Sequence, residues 1–215
     1  MTVKDLVVGY KANASVAGPI SFTVADGEMV LLKGSNGSGK TTFLKTVAGL
    51  LKPLSGTIDA PDAILIPTRI PKVKGFTVTE FIKTFLSFSA GYSIPSSRKL
   101  RPMSSGHNYS EAEVVYPDIL TQMGIAELAN RDISTLSDGQ FQKVCLCPAV
   151  ASGKKLILLD EPTAFLDAES RVSFMQFLQS LSAAVLFSSH DLAVCEPFCT
   201  QVVSIQNTQQ TGQNY

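Results

Sequence analysis

The sequence predicts an α/β protein built on a mainly parallel sheet. Apolar segments of strand length alternate with segments of helical periodicity along the 215 residues. Two strand segments, 29–32 and 156–159, are continuous apolar runs, which is typical of parallel strands buried on both faces. The first run is followed by a glycine-rich loop and a helix candidate, and this alternation is the pattern from which parallel sheets are built.

The N-terminal part reads as strands around one helix. Strands are predicted at 3–8, 20–24, 29–33 and 63–66, and a helix at 41–48. The first two strands are expected to be short because glycine and proline interrupt them, at Gly9, Gly18 and Pro19. Asp26-Gly27 marks a turn, and Pro53 and Gly56 predict an open stretch after the helix.

The pattern becomes helical from about residue 72 to 151. Thr77 and Glu80 are spaced as a capping box ahead of a helix with Phe81, Ile82, Phe85 and Leu86 on one face. A long loop is predicted at 91–108, a helix at 111–123 with Pro117 inside it, and a third helix from Ser137. The C-terminal part alternates again, with strands at 156–159, 184–187 and 201–205. A helix at 168–181 is predicted between them, with an apolar stripe of Val172, Met175, Leu178 and Leu181, and a polar tail at 206–215.

Composition favours a globular domain and disfavours several other classes. Hydrophobic residues make up 45% of the chain, and 18 basic residues balance 18 acidic ones. No polybasic run suggests nucleic acid, and the cluster at 98–101 reads as a solvated loop, with a phosphate or partner contact as the alternative. No secretory signal or bilayer-spanning segment is visible, so a cytosolic protein with reduced thiols is expected. The cysteine pairs 145/147 and 195/199 read as small buried residues rather than as a zinc site.

The most informative segment is a phosphate-binding loop of the pattern G-x-x-x-x-G-K-[ST]. It stands between a strand and a helix, as this chemistry requires, and consists of Gly34, Ser35, Asn36, Gly37, Ser38, Gly39, Lys40 and Thr41. Its backbone N–H groups can surround anionic oxygens, and the helix dipole adds positive potential. Lys40 can reach the β- and γ-phosphates, and the Thr41 hydroxyl can bind Mg²⁺.

A pair of carboxylates follows the second buried strand. Asp160 and Glu161 come directly after the run 156–159, at the sheet edge where ligands bind in open α/β folds. Asp160 can hold Mg²⁺ through water, and Glu161 can orient and polarise a water for attack on the γ-phosphate. An acidic turn that only caps a core strand is the structural alternative.

A second helix start carries a phosphate-binding signature. In the sequence LSDGQ, Ser137 can act as N-cap and Gln140 as the N3 residue of a capping box. A helix N-terminus with serine and glycine can bind phosphate, although an ordinary helix cap would look the same.

Together these motifs resemble the ATP-binding-cassette (ABC) ATPases. The phosphate loop, LSDGQ, LILLDEP, the AFLD segment at 164–167 and the SHD segment at 189–191 occur in that family's order and spacing over nearly the whole chain. The resemblance implies a P-loop NTPase core, an N-terminal antiparallel β subdomain and an inserted helical subdomain. Residues 1–215 would form one ATPase domain with the insertion at about 72–151. The LSDG segment and DEPTAFLD are most similar to the ATPase subunits of bacterial importers for iron chelates, haem or cobalamin.

The resemblance also implies roles for individual residues. Tyr10 matches the aromatic residue that stacks on adenine, and Thr42 extends the phosphate loop. The signature residues Ser137, Gly139 and Gln140 would close over ATP held by the other subunit. Asp167 matches the loop that crosses the dimer interface, and His190 matches the switch histidine at the γ-phosphate.

The chain departs from the family pattern at three positions. Thr68 stands where the family usually has a Gln that helps to bind Mg²⁺ and couples the nucleotide to the membrane partner. Asp138 replaces a Gly and brings negative charge toward a phosphate, which the helix dipole offsets in part. Pro148 lies inside the helix that begins at the signature and removes the hydrogen bond to the Val144 carbonyl, at a cost of up to about 3 kcal/mol.

The expected function is that of an ATP-hydrolysing subunit of an importer, with ATP and Mg²⁺ as its ligands. It would work as a homodimer on the inner face of the membrane beneath separate permease subunits, with an extracytoplasmic binding protein as a further candidate partner. Alternatives are an exporter subunit, a soluble ABC ATPase or a poorly active nucleotide-binding module. The region 76–88 is the expected permease-docking face, with buried core as the competing interpretation for most of its aromatics.

Replacing Lys40 by Ala should weaken MgATP binding, because it removes the charge that neutralises the β- and γ-phosphates. Isothermal titration calorimetry of the variant against the native chain measures this change. An ATP affinity unchanged in Lys40→Ala would contradict the assignment of the loop.

Overall fold

The computed structural model describes residues 1–11, 14–91 and 118–207, without the side chains of 87–91. The chain divides into two compact units. The first combines Met1–Arg69 with the residues from Lys154 onward, and the second is Ile70–Gly153. That residues 1–215 form one ATPase domain with an insertion at about 72–151 remains a prediction. The predicted loop at 91–108, except for residue 91, lies outside the described residues. So do the basic cluster at 98–101, residues 111–117 of the predicted helix at 111–123, and the tail beyond 207.

The first unit contains two sheets. Its strands are β1 Thr2–Lys11, β2 Ala14–Thr23, β3 Met29–Lys33, β4 Ser55–Asp59, β5 Ala63–Ile66, β6 Leu156–Asp160, β7 Ala184–Ser188 and β8 Gln201–Ser204. Five parallel strands lie in the order β5-β6-β7-β3-β8, and three antiparallel strands in the order β2-β1-β4. The predicted parallel sheet and N-terminal antiparallel sheet are therefore confirmed.

Helices occur in both units. The first unit contains α1 Lys40–Val47, α5 Ala168–Gln179 and the short α6 Leu192–Cys195. The second unit contains α2 Val78–Gly91, α3, which is helical at 118–122, and α4 Asp138–Ala151. In the described part of the chain, no helix is both long and apolar enough to cross a membrane.

The strand before the phosphate loop and the helix after it are both anchored in the core of the first unit. Every residue of β6 and β7 is buried, as is every residue of β3 except Lys33. Phe43 and Leu44 of α1 are fully buried in the same apolar cluster, and the ring of Phe43 stacks on that of Phe22 at a centroid distance of 5.8 Å. Burial of a side chain of this size contributes roughly 2 kcal/mol to stability. This burial anchors α1, whose N-terminus follows the phosphate loop, to the core.

Two predictions for the antiparallel sheet were wrong. β1 and β2 are ten residues each, because β1 continues through Gly9 and β2 continues through Gly18 and Pro19. The pairing moves from Leu6↔Ile20 to Val8↔Ala17, so β2 carries an extra residue at this point. Such a bulge accommodates a proline, which has no N–H to donate to the neighbouring strand.

The stretch around Gly56 was predicted to be open, but it is strand β4. Gly56 has φ +81°, and a Cβ at this position would lie 2.3 Å from the carbonyl oxygen of Asp5. The missing side chain thus lets β4 approach β1 closely. Glycine here permits strand pairing, whereas the sequence rule treats it as a strand breaker.

The apolar stripe of α5 was predicted partly incorrectly. Met175 and Leu178 are buried, but Val172 is 40% exposed and Leu181 lies beyond the helix end. Phe174, which the predicted stripe omitted, is 2% exposed and takes the inner position. The helical period alone left the rotation of the helix ambiguous, and packing on the core decided it.

The second unit confirms the predicted helix starts after Thr77 and at Ser137. The Glu80 carboxylate accepts hydrogen bonds from Thr77 N and Oγ1 at 2.9 and 2.8 Å, as in a capping box. α4 runs through Pro148, which is buried. Cys145 and Cys147 on this helix are buried free thiols, and burial raises the pKa of each to about 12. Within the described ranges, no three His, Cys, Asp or Glu side chains are grouped to hold a metal ion.

Candidate active site

The phosphate loop is organised around the buried ammonium group of Lys40. Lys40 is 6% exposed, and its Nζ donates to the carbonyl oxygens of Gly34 and Ser35 at 2.7 and 3.2 Å. A buried charge requires such partners because it has lost its hydration. The lysine therefore places positive charge inside the curve of its own loop.

The loop leaves a polar atom available on the inside. Ser38 Oγ is buried and has no hydrogen-bond partner among the described residues. It lies so close to Gly34 that a Cβ there would meet it at 2.4 Å. A buried hydroxyl without a partner costs about 1–3 kcal/mol, so it fits a site that receives a polar ligand.

Thr41 and Asp160 are brought together from different strands. Thr41 Oγ1 lies 3.1 and 2.9 Å from the two carboxylate oxygens of Asp160, to which it donates. Thr41 follows β3 and Asp160 ends β6, with β7 between these strands in the sheet. A hydroxyl and a carboxylate are oxygen donors of the kind that Mg²⁺ prefers.

Ser188 connects the Asp160 carboxylate to the backbone of Glu161 and was missed by the sequence analysis. Its Oγ donates to Asp160 Oδ1 at 2.8 Å and accepts from the backbone N–H of Glu161 at 3.0 Å. In register it pairs with Leu32 on one side and Asp160 on the other. The sequence signal was a polar residue at the end of a buried apolar run.

Glu161 is held in an unusual position beside His190. Its backbone has φ +53°, a left-handed conformation that costs a non-glycine residue about 1 kcal/mol. One carboxylate oxygen accepts from His190 N–H at 3.1 Å. The other lies 3.1 Å from His190 Nε2 without forming a hydrogen bond, a distance at which the two groups form an ion pair when the imidazole is protonated. Strain of this kind is concentrated at functional sites.

The environment of Glu161 favours a proton acceptor. Burial raises the pKa of the Glu161 carboxyl above its ordinary value, and the positive charges of His190 and Lys40 oppose part of that rise. The carboxylate thus becomes a better base while its charge is still partly compensated. His190 itself is 53% exposed and can reach an incoming group.

Tyr10 and Asp167 lie at the edges of this site. The Tyr10 side chain is 63% exposed, and its phenol oxygen accepts from Thr42 Oγ1 at 3.2 Å, which holds the ring beside the start of α1. Asp167 is not part of the central cluster. Its carboxylate caps α5 through Ser170 N at 2.8 Å, and these hydrogen bonds lower the pKa of Asp167.

Arg171 joins the Asp167 segment to the His190 segment, a connection that sequence analysis also missed. Its Nε donates to the Leu166 carbonyl at 2.9 Å, and a guanidinium nitrogen forms an ion pair with Asp191. The residues on either side of the site are thereby tied together by one planar cation.

The signature residues lie in the second unit at the start of α4. Ser137 Oγ accepts from Gln140 N at 3.1 Å, and Gln140 Oε1 accepts from Ser137 N at 3.1 Å. The predicted capping box is therefore confirmed, with Gly139 between its two members. It orders the helix start without using the Ser137 hydroxyl proton.

The comparison with protein families assigns the chain. The family model described as "ABC transporter" matches residues 17–164, more than half of the sequence. The chain belongs to the ABC transporter ATP-binding family. As an ABC ATPase it binds ATP and is an ATP hydrolase, the ATP-binding subunit of a transporter.

Individual relatives agree with this assignment. The ABC ATPase is 28% identical to the high-affinity zinc uptake system ATP-binding protein ZnuC of Bacillus subtilis, over 99% of this chain and 93% of the relative. It superposes on a putative metal-chelate type ABC transporter in an inward-facing conformation, with TM-score 0.76, 25% identity and coverage of 95% and 78% of the two chains. A bacterial ABC transporter cassette solved as a dimer shares the fold, with TM-score 0.71, 23% identity and coverage of 95% and 93%.

The raised pKa of Glu161 predicts a pH-dependent effect of Glu161→Gln on stability. Between the ordinary carboxyl pKa of 4.5 and the raised value, the folded chain binds more protons at Glu161 than the unfolded chain does. This residue's contribution to stability therefore falls as pH rises through that window. Glutamine does not titrate, so the melting temperature of the variant relative to the native chain should rise as the pH is raised from 4.5 to neutral.

Glu169→Gln is the matched control, because it makes the same replacement at an exposed position. Calorimetric melting at the two pH values measures both variants. A Glu161→Gln difference that is constant or falls with pH would show that burial does not dominate at this carboxylate.

Proposed function

We propose that the ABC ATPase powers the import of a metal-containing small substrate through a separate permease. The observation that carries the catalytic part is the arrangement of Glu161, which is strained, half-buried and paired with His190 beside the phosphate loop. This arrangement suits a carboxylate that activates water. The full set of motifs argues against the alternative of a poorly active nucleotide-binding module.

The loop residues are proposed to bind the triphosphate. Lys40 would exchange its two carbonyl partners for β- and γ-phosphate oxygens, which satisfy the same ammonium donors. Ser38 Oγ offers an additional polar contact, and Tyr10 would stack on the adenine ring. The proposed nucleotide-binding set is Tyr10, Gly34, Ser35, Asn36, Gly37, Ser38, Gly39, Lys40, Thr41, Thr42, Ser137, Gly139, Gln140 and Asp167.

Thr41 and Asp160 are the proposed holders of Mg²⁺, Asp160 through water. When bound, Mg²⁺ neutralises charge that develops on the phosphate oxygens. Glu161 would accept a proton from the attacking water. Its carboxylate is positioned for this role by the Ser188 bond to its backbone and by His190. His190, being half exposed, would contact the γ-phosphate.

Two copies of the chain are proposed to form the complete site. The signature residues Ser137, Gly139 and Gln140 lie in the second unit, at a helix start whose backbone N–H groups suit a phosphate. In the dimer they would close over the nucleotide of the other copy, with Asp167 at the interface. The related cassette solved as a dimer supports this arrangement.

The proposed membrane partner is a permease on the inner face of the cell membrane. Val73 and Phe76, in the segment that leads into α2, are 50% and 39% exposed, so two large apolar side chains lie at the surface within four positions of each other. Phe81, by contrast, is partly buried and packs against Phe141 at 5.6 Å. The proposed docking face is therefore narrowed from 76–88 to its N-terminal end, where Phe76 lies.

The proposed cargo is an iron chelate, haem, cobalamin or a related metal species. The relatives named for zinc uptake and for a metal-chelate type transporter support a metal-related cargo and, for zinc, the inward direction. An extracytoplasmic binding protein would deliver it. The competing functions are those of an exporter subunit or a soluble ABC ATPase. They predict that a protein other than an importer permease is recovered with the native chain in the Phe76→Glu experiment below.

Replacing Glu161 by Gln should separate binding from chemistry. Glutamine keeps the size and a hydrogen-bond acceptor but cannot take the proton, so turnover should fall by about a hundredfold or more. MgATP binding should survive, and an ATP-bound dimer should accumulate. Phosphate release measures turnover, and size-exclusion chromatography with MgATP measures the dimer. A monomeric variant with normal turnover would contradict both the catalytic role and the dimer.

A charge placed at Phe76 should disrupt docking. Phe76→Glu is expected to abolish recovery of a multi-span membrane protein with the tagged full-length chain from its own detergent-solubilised membranes, while ATP binding remains. Mass spectrometry identifies the recovered protein. The control is Val202→Glu, which places the same charge at a position 40% exposed in the first unit and should recover the permease normally. Normal recovery with Phe76→Glu would show that the docking face lies elsewhere.

A further inference from the structure

Lys72 makes three contacts at the start of α4. Its Nζ donates to Asp138 Oδ1 at 2.6 Å and to the Leu136 carbonyl at 2.8 Å, and it lies 5.6 Å from the centre of the Phe141 ring. We propose that Lys72 neutralises Asp138 so that the signature segment can accept the γ-phosphate of ATP. This inference rests on the proposed function, in which that segment closes over the nucleotide of a second copy.

Asp138 creates the electrostatic difficulty that Lys72 resolves. It stands between Ser137 and Gly139, the two signature residues proposed to meet the phosphate, and its side chain is 68% exposed. A carboxylate and a phosphate repel each other at contact distance even in water, and more strongly where water is excluded. The dipole of α4 offsets only part of this repulsion, since it acts as about half a unit charge.

The geometry assigns the compensating charge to Lys72 specifically. Its side chain is only 24% exposed, because the ammonium group is held between a carboxylate, a carbonyl and an aromatic ring. Exposed ion pairs contribute little to stability when both side chains are mobile. Here the Leu136 carbonyl and the Phe141 ring already hold the Lys72 ammonium group in place. The ion pair with Asp138 therefore does not depend on ordering a mobile lysine side chain.

The same contacts leave the phosphate-binding groups of the signature available. The capping box uses Ser137 Oγ as an acceptor, which leaves its proton free to be donated. The bond from Lys72 to the Leu136 carbonyl fixes the residue before the cap. Because Asp138 is paired with Lys72, the electrostatic potential at this surface is dominated by the positive N-terminal end of the α4 dipole.

The test uses the full-length chain with Glu161→Gln as a reference that accumulates the ATP-bound dimer. Sedimentation velocity gives the MgATP concentration at which half of the chain is dimeric. Adding Lys72→Met should raise that concentration about fivefold or more, because Asp138 is then uncompensated. Asp138→Asn should cause no loss, and Lys72→Met combined with Asp138→Asn should return to within about twofold of the reference.

Lys74→Met is the matched control. It removes the same charge from the same segment, but Lys74 acts on Asp132 instead of Asp138. Hydrogen bonds from Ser134 and Gly75 lower the pKa of Asp132, and the charge of Lys74 adds a smaller effect in the same direction. It should leave dimer formation unchanged. If Lys74→Met impairs dimer formation as much as Lys72→Met does, the loss of net charge alone explains the effect, and the inference is overturned.

Rescue separates charge compensation from other roles of Lys72. If Lys72 contacts the nucleotide directly or serves only to hold the Leu136 carbonyl, Asp138→Asn will not restore the Lys72→Met variant, and the inference fails. Lys72→Arg keeps the charge and should behave as the reference; a full loss there would also contradict the inference. Circular dichroism verifies folding, and Lys72→Gln replaces Lys72→Met if the latter does not fold.

The two proposals fail in different ways. If the Glu161→Gln reference forms no dimer with MgATP, the proposed function is wrong and the inference falls with it. If the reference dimerises and the Lys72 variants dimerise equally well, only the inference is wrong. The loss in Lys72→Met should also shrink as salt is raised from about 0.05 to 0.5 M, since screening weakens an uncompensated charge.

Discussion

The parallel register of β3, β7 and β6 is the constraint on which the candidate site depends. It places Ser188 between Leu32 and Asp160, where one hydroxyl can bind the Asp160 carboxylate and the backbone of Glu161. A shift of one residue would turn these side chains to the other face of the sheet. The buried apolar runs that fix this register are therefore as necessary to the site as the polar residues that follow them.

Charge compensation recurs at several positions of the molecule. Lys40 is paired with the carbonyl oxygens of its own loop, Glu161 with His190, and Asp138 with Lys72. In each pair one member is held by neighbouring groups and the other faces a proposed ligand. Such pairs keep the site stable without ligand, because each buried or partly buried charge has a partner that replaces its lost hydration.

Some features were predictable because short-range chemistry fixes them. The phosphate loop, the capping boxes at Thr77 and Ser137, and the buried strand before Asp160 each depend on neighbouring residues. Errors arose where the outcome depends on a distant segment. β2 passes Pro19 by a bulge against β1, and β4 forms because Gly56 fits beneath Asp5. A local rule that treats glycine and proline as breakers contains no information about the strand alongside.

The sequence alone therefore determined the fold class, the family and the residues proposed to carry the chemistry, because these are encoded by spacing within a few residues. Only the tertiary structure identified Ser188, Arg171 and Lys72 as their partners. Lys72 and Asp138 are 66 positions apart, and Asp160 and Ser188 are 28 apart. Packing brings each pair to hydrogen-bonding distance, and a polar side chain in the sequence does not specify which distant group it will meet.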